Sequence, residues 1–208
     1  MSASAPRAPP PSAHSIAGHL RATLIFLALM VLVSGVAYPL VVTGIADVIA
    51  PGNASGSLLE YPGNHTVVGS YLVAQNLSAP FLFWERPSLT DYNLLNGSAS
   101  PPGPTDPALA ALLNETIAYI KQYGEFTVNA TLPFWWVAPS GSSVDPDLVP
   151  EAVLIQVPRV ANATGLGIPT LQTLVNNHIV NPLVPYLGVP YVDVLQLDLA
   201  LYAITGKA

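Results

Sequence analysis

The sequence predicts an α+β protein in which one N-terminal transmembrane helix precedes a mixed α/β domain held outside the cytoplasm. Three observations carry this expectation. Ala22 to Ala46 form 25 consecutive positions without a charged side chain, bounded by Arg21 and Asp47. All 12 Asp and Glu residues lie beyond that run. Seven Asn-x-Ser/Thr sequons also lie beyond it, where 11 Asn and 27 Ser or Thr in 208 residues give about one or two by chance. The boundaries that follow are a cytoplasmic disordered tail over 1–21, a membrane helix over 22–49 and an outer domain over 50–208.

The tail is read from Pro6, Pro9, Pro10 and Pro11, a composition that cannot bury apolar surface. The apolar run that follows is roughly 37 Å long as a helix, enough to cross a hydrocarbon core of about 30 Å with some tilt. The rival reading is a cleaved signal peptide with Gly44-Ile45-Ala46 as its cleavage site, against which the run is longer than a typical signal-peptide apolar region. Pro39 lies inside it, preceded by the small residues Ser34, Gly35 and Ala37, which would let another helix approach closely. Arg7 and Arg21 precede the span without any acid, so the positive-inside rule leaves the N-terminus in the cytoplasm. The sequons at Asn53, Asn64, Asn76, Asn96, Asn114, Asn129 and Asn162 are then candidate glycosylation sites of a polar but weakly charged outer surface.

In the outer domain, Val67 to Leu72 and the stretch Phe134 to Val137 are strand candidates. Asp106-Pro107 opens a helix, with Asp as N-cap and Pro at the first helical position. Leu109, Leu112, Leu113, Ile117 and Ile120 make its apolar stripe, and Gly124 stops it. A second helix starts near Pro150, with Val153, Val157 and Val160 on one face and a kink expected at Pro158. A third runs from about Pro169, placing Leu171, Leu174, Val175 and His178 on one stripe. Val189 to Leu201 reads two ways: Leu195, Leu197, Leu199 and Leu201 alternate like a strand, while Asp193 could cap a helix.

Composition closes several functional classes. There is no cysteine, so disulfides, thiolate metal sites and cysteine nucleophiles are excluded. A net charge of −6 with only six basic residues argues against nucleic-acid binding. No Walker A pattern and no G-x-S-x-G elbow occur, and His14, His19, His65 and His178 are scattered. A triad of Ser140, His178 and Asp145 can be drawn, as any three such residues can. No metal site is expected.

Three local clusters remain. Phe81 to Ser88 is an aromatic run ending in Glu85-Arg86-Pro87-Ser88, with a surface ion pair between Glu85 and Arg86 as its plain reading. Ser140-Gly141-Ser142-Ser143-Val144-Asp145-Pro146 is a small polar loop before a helix, either an anion-holding set of N–H groups or a turn with a cap. Gln156-Val157-Pro158-Arg159-Val160-Ala161 carries one of the six basic residues.

In this order, and with Gly35-Val36-Ala37-Tyr38-Pro39-Leu40 in the span, Tyr92-Asn93, Gly103-Pro104-Thr105-Asp106-Pro107 and the ending Val192 to Leu201, the clusters resemble the C subunit of Kdp-type potassium-transporting P-type ATPases. The resemblance covers about residues 20 to 201. It departs at Ser143, where the family has a second Gly in Ser-Gly-Ser-Gly, and at Asp147, where His or Gln is usual. Asp193 and Asp198 stand where Asn is common, and Tyr191 replaces a basic residue.

The resemblance implies a non-catalytic subunit of a high-affinity potassium uptake pump, needed for assembly and for coupling to, or raising the ATP affinity of, the hydrolysing subunit. The implied partners are a channel-like potassium-translocating subunit, a P-type ATP-hydrolysing subunit and membrane lipid. This chain alone would bind no cofactor; ATP and potassium act at the level of the complex. Candidate partner and coupling residues are Gly35, Pro39, Arg86, Ser140, Gly141, Ser142, Asp145, Pro146, Gln156 and Arg159. Loss of Arg159 is expected to impair assembly or coupling while leaving the domain folded. The rival reading is a free-standing, single-pass surface glycoprotein of the cell envelope.

Overall fold

The computed structural model describes residues 16–63, 65–96, 101–124, 131–184 and 186–206. The proline-rich residues 1–13 and the sequons at Asn64 and Asn129 lie outside them. The chain divides into two units, residues 1–55 and 56–208.

In the first unit, one apolar helix of 34 residues runs from Ile16 to Ile49 with none of its most apolar stretch buried within the chain. At 1.5 Å per residue it is roughly 51 Å long. It begins before Arg21, so residues 16–21 are helical. It has three parts: α1 (Ile16–Leu32), a π-helical turn over Val33–Ala37, and α2 (Tyr38–Ile49). The irregular turn lies directly before Pro39, where a missing N–H and a clashing ring disturb the α register. Ala50, at φ −146°, ends the helix, and a single turn, α3 (Pro51–Ala54), follows.

The second unit mixes short strands with helices. β1 (Leu58–Glu60) pairs antiparallel with β2 (Val67–Ser70), so the first strand candidate forms, two residues shorter than expected. α4 (Pro107–Tyr123) starts and stops where its local chemistry dictates. Asp106 accepts a hydrogen bond from the Ala108 N–H at 2.9 Å, and the Gly124 N–H donates to the Ile120 carbonyl at 2.7 Å. Ile120 is buried, and Leu113 and Ile117 pack against the core.

Phe134 to Val137 is not a strand but one helical turn, α5, closed by the Ala138 N–H on the Phe134 carbonyl. Trp136 and Val137 are buried while Phe134 and Trp135 are exposed, a pairing of adjacent residues that strand alternation cannot produce. Nor does a kinked helix form around Pro158. The helix is broken into α6 (Pro150–Leu154) and α7 (Val157–Thr164), with Pro158 in the first turn of α7, where its missing N–H costs nothing. Gly165, at φ +78°, terminates α7 in the left-handed conformation that suits glycine.

α8 (Ile168–Asn177) carries Leu171 and Val175 into the core. His178 at its C-terminus is half-buried, with Nδ1 2.8 Å from the Leu174 carbonyl oxygen. The ambiguous final segment takes the helical reading: Leu195, Leu197, Leu199 and Leu201 all lie in a helix capped by Asp193, and only a two-residue strand precedes it. β4 (Val192–Asp193) pairs antiparallel with β3 (Asp147–Leu148), and α9 (Val194–Thr205) follows at once. The Asp193 carboxylate caps α9 by accepting from the Gln196 N–H at 2.7 Å. Val194, Leu197 and Leu201, at helical spacing, then close a core with Phe83, Trp136, Leu148, Leu171 and Val175.

Candidate functional site

The three polar clusters, far apart in sequence, meet around the irregular segment 80–88. At one end of that segment, Arg86 is tied by its whole guanidinium. Nε donates to the Ala138 carbonyl, Nη2 to the Pro139 carbonyl and Nη1 to the Asp145 carboxylate, all at 3.1 Å. The expected Glu85–Arg86 surface pair does not form. Glu85 points inward instead, where its carboxyl accepts from the Gln75 N–H at 2.6 Å. Burial pushes the Glu85 carboxyl up to about 9, and the neighbouring acids Asp198, Asp193 and Asp145 add to the rise.

The Ser140–Pro146 loop packs against this end. The Ser143 hydroxyl accepts from the Leu89 N–H at 3.3 Å, and the Val144 carbonyl from the Ala74 N–H at 2.8 Å. Within the loop, the Ser143 N–H donates to the Ser140 carbonyl, the Val144 N–H to the Ser142 hydroxyl and the Asp145 N–H to the Ser140 hydroxyl. Three successive donors are therefore spent internally, which favours the turn over the anion-holding reading. The loop leads into β3 rather than a helix. Gly141 and Ser142 are exposed at its tip, Ser140 and Ser143 are buried, and the Pro146 carbonyl accepts from the Val194 N–H at 3.2 Å.

An open groove of about 500 Å³ runs along the loop, lined by Tyr71, Leu72, Gly141, Ser142, Asp147 and Tyr191. Partial burial beside Asp145 and Asp193 pushes the Asp147 carboxyl up to about 6. Asp147 is thus an acid at the groove, at the position where the family resemblance leads one to expect a neutral or basic side chain.

The other end of the segment is held by Gln156 and Arg159, which are 0% and 3% exposed. The Gln156 amide clamps the Trp84 backbone from both sides. Oε1 accepts from the Trp84 N–H at 2.8 Å, and Nε2 donates to the Trp84 carbonyl at 3.0 Å. Arg159 donates from Nη1 to the Pro80 carbonyl at 2.6 Å and from Nη2 to Gln156 Oε1 at 2.8 Å, with its guanidinium carbon 4.3 Å from the centre of the Trp84 ring. Asp198, fully enclosed, accepts from the Phe83 N–H at 2.9 Å. Burial holds its carboxyl well above the usual carboxylate range, opposed by that bond and by Arg159. Gln156 and Arg159 therefore shape the 80–86 segment from beneath and present no polar atom of their own to a partner.

Sequence reasoning missed Glu85 and Asp198 as members of this network. Each carried a signal, a lone acid inside an apolar run: Phe83-Trp84-Glu85 and Leu197-Asp198-Leu199. Gly35 and Pro39 lie in the membrane-length helix. Of the sequons, Asn53, Asn76, Asn96, Asn114 and Asn162 are exposed. Ser140 and His178 are engaged separately, so no Ser–His–Asp relay is built. Among the described residues, no group of three or more His, Asp or Glu is arranged to hold a metal ion.

The family model described as the K+-transporting ATPase c chain, KdpC, matches residues 20–203. A potassium-transporting ATPase KdpC subunit from Ralstonia nicotianae is 41% identical over 187 residues, covering 88% of this chain and 90% of the relative. Another, from Rhodopseudomonas palustris, is 40% identical over 198 residues, covering 88% and 96%. A third, from Cereibacter sphaeroides, is 42% identical over 186 residues, covering 89% and 97%. The match takes in the apolar helix, the 80–88 segment, the 140–146 loop and the Gln156–Arg159 clamp in a single run, and the chain belongs to the KdpC family of potassium-transporting ATPase subunits.

Proposed function

We propose that this subunit is non-catalytic, crosses the cell membrane once through the apolar run 22–46 of the Ile16–Ile49 helix, and carries residues 50–208 outside the cytoplasm. There it acts on assembly and on coupling between potassium entry and ATP hydrolysis. Its partners are the channel-like potassium-translocating subunit and the P-type ATP-hydrolysing subunit, with lipid around the helix. One observation carries this reading: an uninterrupted family match joins a membrane-length helix to a unit whose clustered polar groups are bonded to one another. Such a network fixes a surface and does no chemistry.

The surface it fixes is the groove beside Ser140–Pro146, with Gly141 and Ser142 at the rim and Arg86–Asp145 behind it. ATP and potassium belong to the complex. A domain outside the membrane changes a cytoplasmic nucleotide affinity only through contacts that differ between pump states. Such coupling is typically about 1–3 kcal/mol, roughly 5–150-fold in affinity. The acids beyond the span, the arginines before it and the exposed sequons support the orientation. The rival surface-glycoprotein reading retains only those sequons.

Purification of the tagged chain from mild detergent tests the proposal. Two large polytopic partners should follow it in fixed ratio, and omission of the chain should abolish potassium-stimulated ATP hydrolysis. Normal potassium-stimulated turnover without this chain would sink the accessory role. Tight ATP binding by the isolated full chain in calorimetry would sink the placement of nucleotide action at the level of the complex.

A further inference from the structure

The membrane helix contains a hydrogen-bond deficit that its own chain cannot repair. In the π-helical turn the Tyr38 N–H reaches back five residues to the Val33 carbonyl. The next donor in that register would be residue 39, and Pro39 has no N–H. The α register resumes in α2, where the Val41 N–H falls opposite the Ala37 carbonyl. Only the Leu40 N–H is left for the carbonyls of Ser34, Gly35 and Val36, so two of the three have no backbone donor. The Ser34 hydroxyl does not fill the gap, because a helical serine reaches back toward the preceding turn.

These carbonyls lie deep. Ser34 is roughly 27 Å from the start of the helix and Val36 roughly 20 Å from its end, at 1.5 Å per residue. A hydrocarbon core of about 30 Å centred on the helix places them beyond the reach of water. Unmet backbone groups in hydrocarbon are costly, and lipid tails cannot donate. The adjoining surface is open: a Cβ added at Gly35 would meet nothing nearer than the Val31 side chain at 3.9 Å. From Ala22 to Ala46 no side chain is charged, so within that run this is the place where lipid is a poor neighbour and a donor is a good one.

We propose that the Ser34–Val36 carbonyls form an acceptor notch, filled by a hydrogen-bond donor side chain from a transmembrane helix of a partner pump subunit. The glycine lets that helix approach, and Pro39 keeps the carbonyls free to accept. This rests on the reading of the chain as a membrane-crossing pump subunit and adds to it a specific point of contact. Pro39 is then a positioning residue. Its loss should weaken assembly although alanine is smaller and a better helix former.

The experiment compares the wild type with Pro39→Ala, Gly35→Leu and Leu29→Ala, each as the full chain expressed with the complex and recovered from mild detergent. Single cysteines at Val31, on the notch face, and at Leu29, on the far side, are cross-linked in membranes. Pro39→Ala gives the helix a donor for one of the two unmet carbonyls, the one Pro39 leaves free, and should lower partner recovery roughly three- to tenfold, the range of one interhelical hydrogen bond. Gly35→Leu should lower it at least as much, Leu29→Ala should leave it unchanged, and Val31→Cys rather than Leu29→Cys should cross-link to a polytopic partner. Wild-type recovery with Pro39→Ala, in a complex that otherwise assembles, would overturn the notch and leave the pump-subunit reading standing. Cross-linking only to a second copy of this chain would overturn the partner assignment. A wild-type chain that brings down no partner would remove both.

Discussion

Replacing Arg159 by alanine tests whether the most buried cation holds the fold or meets a partner. The substitution removes two charge-assisted hydrogen bonds, to the Pro80 carbonyl and to Gln156 Oε1, and the stacking over Trp84. It also removes the positive charge that opposes the buried Asp198 carboxyl. Bonds of this kind contribute about 1.5–3 kcal/mol each, and a desolvated cation–π contact about 2 kcal/mol. They are not additive, and breaking a buried charged centre costs about 3–5 kcal/mol in all. For a unit of roughly 150 residues that is a fall in Tm of about 10 °C. Near-ultraviolet circular dichroism of the full chain in detergent isolates the effect, because Trp84, Trp135 and Trp136 all lie beyond the membrane helix. Arg159→Lys should fall between, since an ammonium cannot span the Pro80 and Gln156 oxygens as the planar guanidinium does. A Tm for Arg159→Ala within about 2 °C of wild type, with partner recovery lost, would refute the reasoning and make this arginine a direct contact.

Glu85 makes stability depend on pH. Its folded-state value of about 9 lies above its ordinary 4.5. The folded state therefore keeps a proton that the unfolded state releases, and this contribution is full below about pH 4.5 and lost as pH rises to about 9. Urea titrations at pH 6, 7 and 8 should show stability falling as pH rises, with Glu85 contributing up to about 1.4 kcal/mol per pH unit and the buried Asp198 adding in the same direction; Glu85→Gln should lower that slope, and an unchanged slope would mean that Glu85 does not titrate in this range. A side chain at Gly69 would collide with the Gln75 amide. Because that amide is the far end of a flexible side chain, Gly69→Ala should cost less than about 1 kcal/mol in the same titration, and a loss of about 1–3 kcal/mol would show that Gln75 is pinned in place. For topology, a membrane-impermeant thiol reagent should label a cysteine at Asn96 in intact cells and not one at Ser4; the reverse pattern would invert the orientation.

Much of the candidate site was legible as sequence and little of its wiring was. Arg86 and Arg159 stood out because charged residues make up only 9% of this chain, Ser140–Pro146 stood out as a compact polar loop, and Gln156 as a neighbour of Arg159; the structure gathers them around one segment. Their partners were not legible. Glu85 was read as an exposed neighbour of Arg86 because the two adjoin in sequence, yet the irregular backbone turns one inward and the other toward Asp145. Asp198 was marked only as standing where Asn is common, in a segment read either as strand or as helix. Its burial follows from the packing of α9 against Phe83, which no local pattern announces.

The sequence by itself determined what depends on a few neighbouring residues. A run of 25 mostly apolar positions without a charged side chain has the length and composition of a membrane-crossing helix, read from those residues alone. Asp106, Pro107, the apolar stripe and Gly124 define α4, because caps, first-turn prolines and helical periodicity all act within four residues. Tertiary structure decided everything joined over longer separations. Arg86 finds Asp145 across 59 positions, Trp84 finds Gln156 across 72 and Phe83 finds Asp198 across 115. It also made Phe134–Val137 a helical turn despite its strand-forming residues, and broke the helix at Gln156 so that its amide could clamp Trp84. Local propensities differ by about 1 kcal/mol or less per residue, while burying one aromatic side chain or satisfying one enclosed polar group is worth more, so packing overrides them wherever the two disagree.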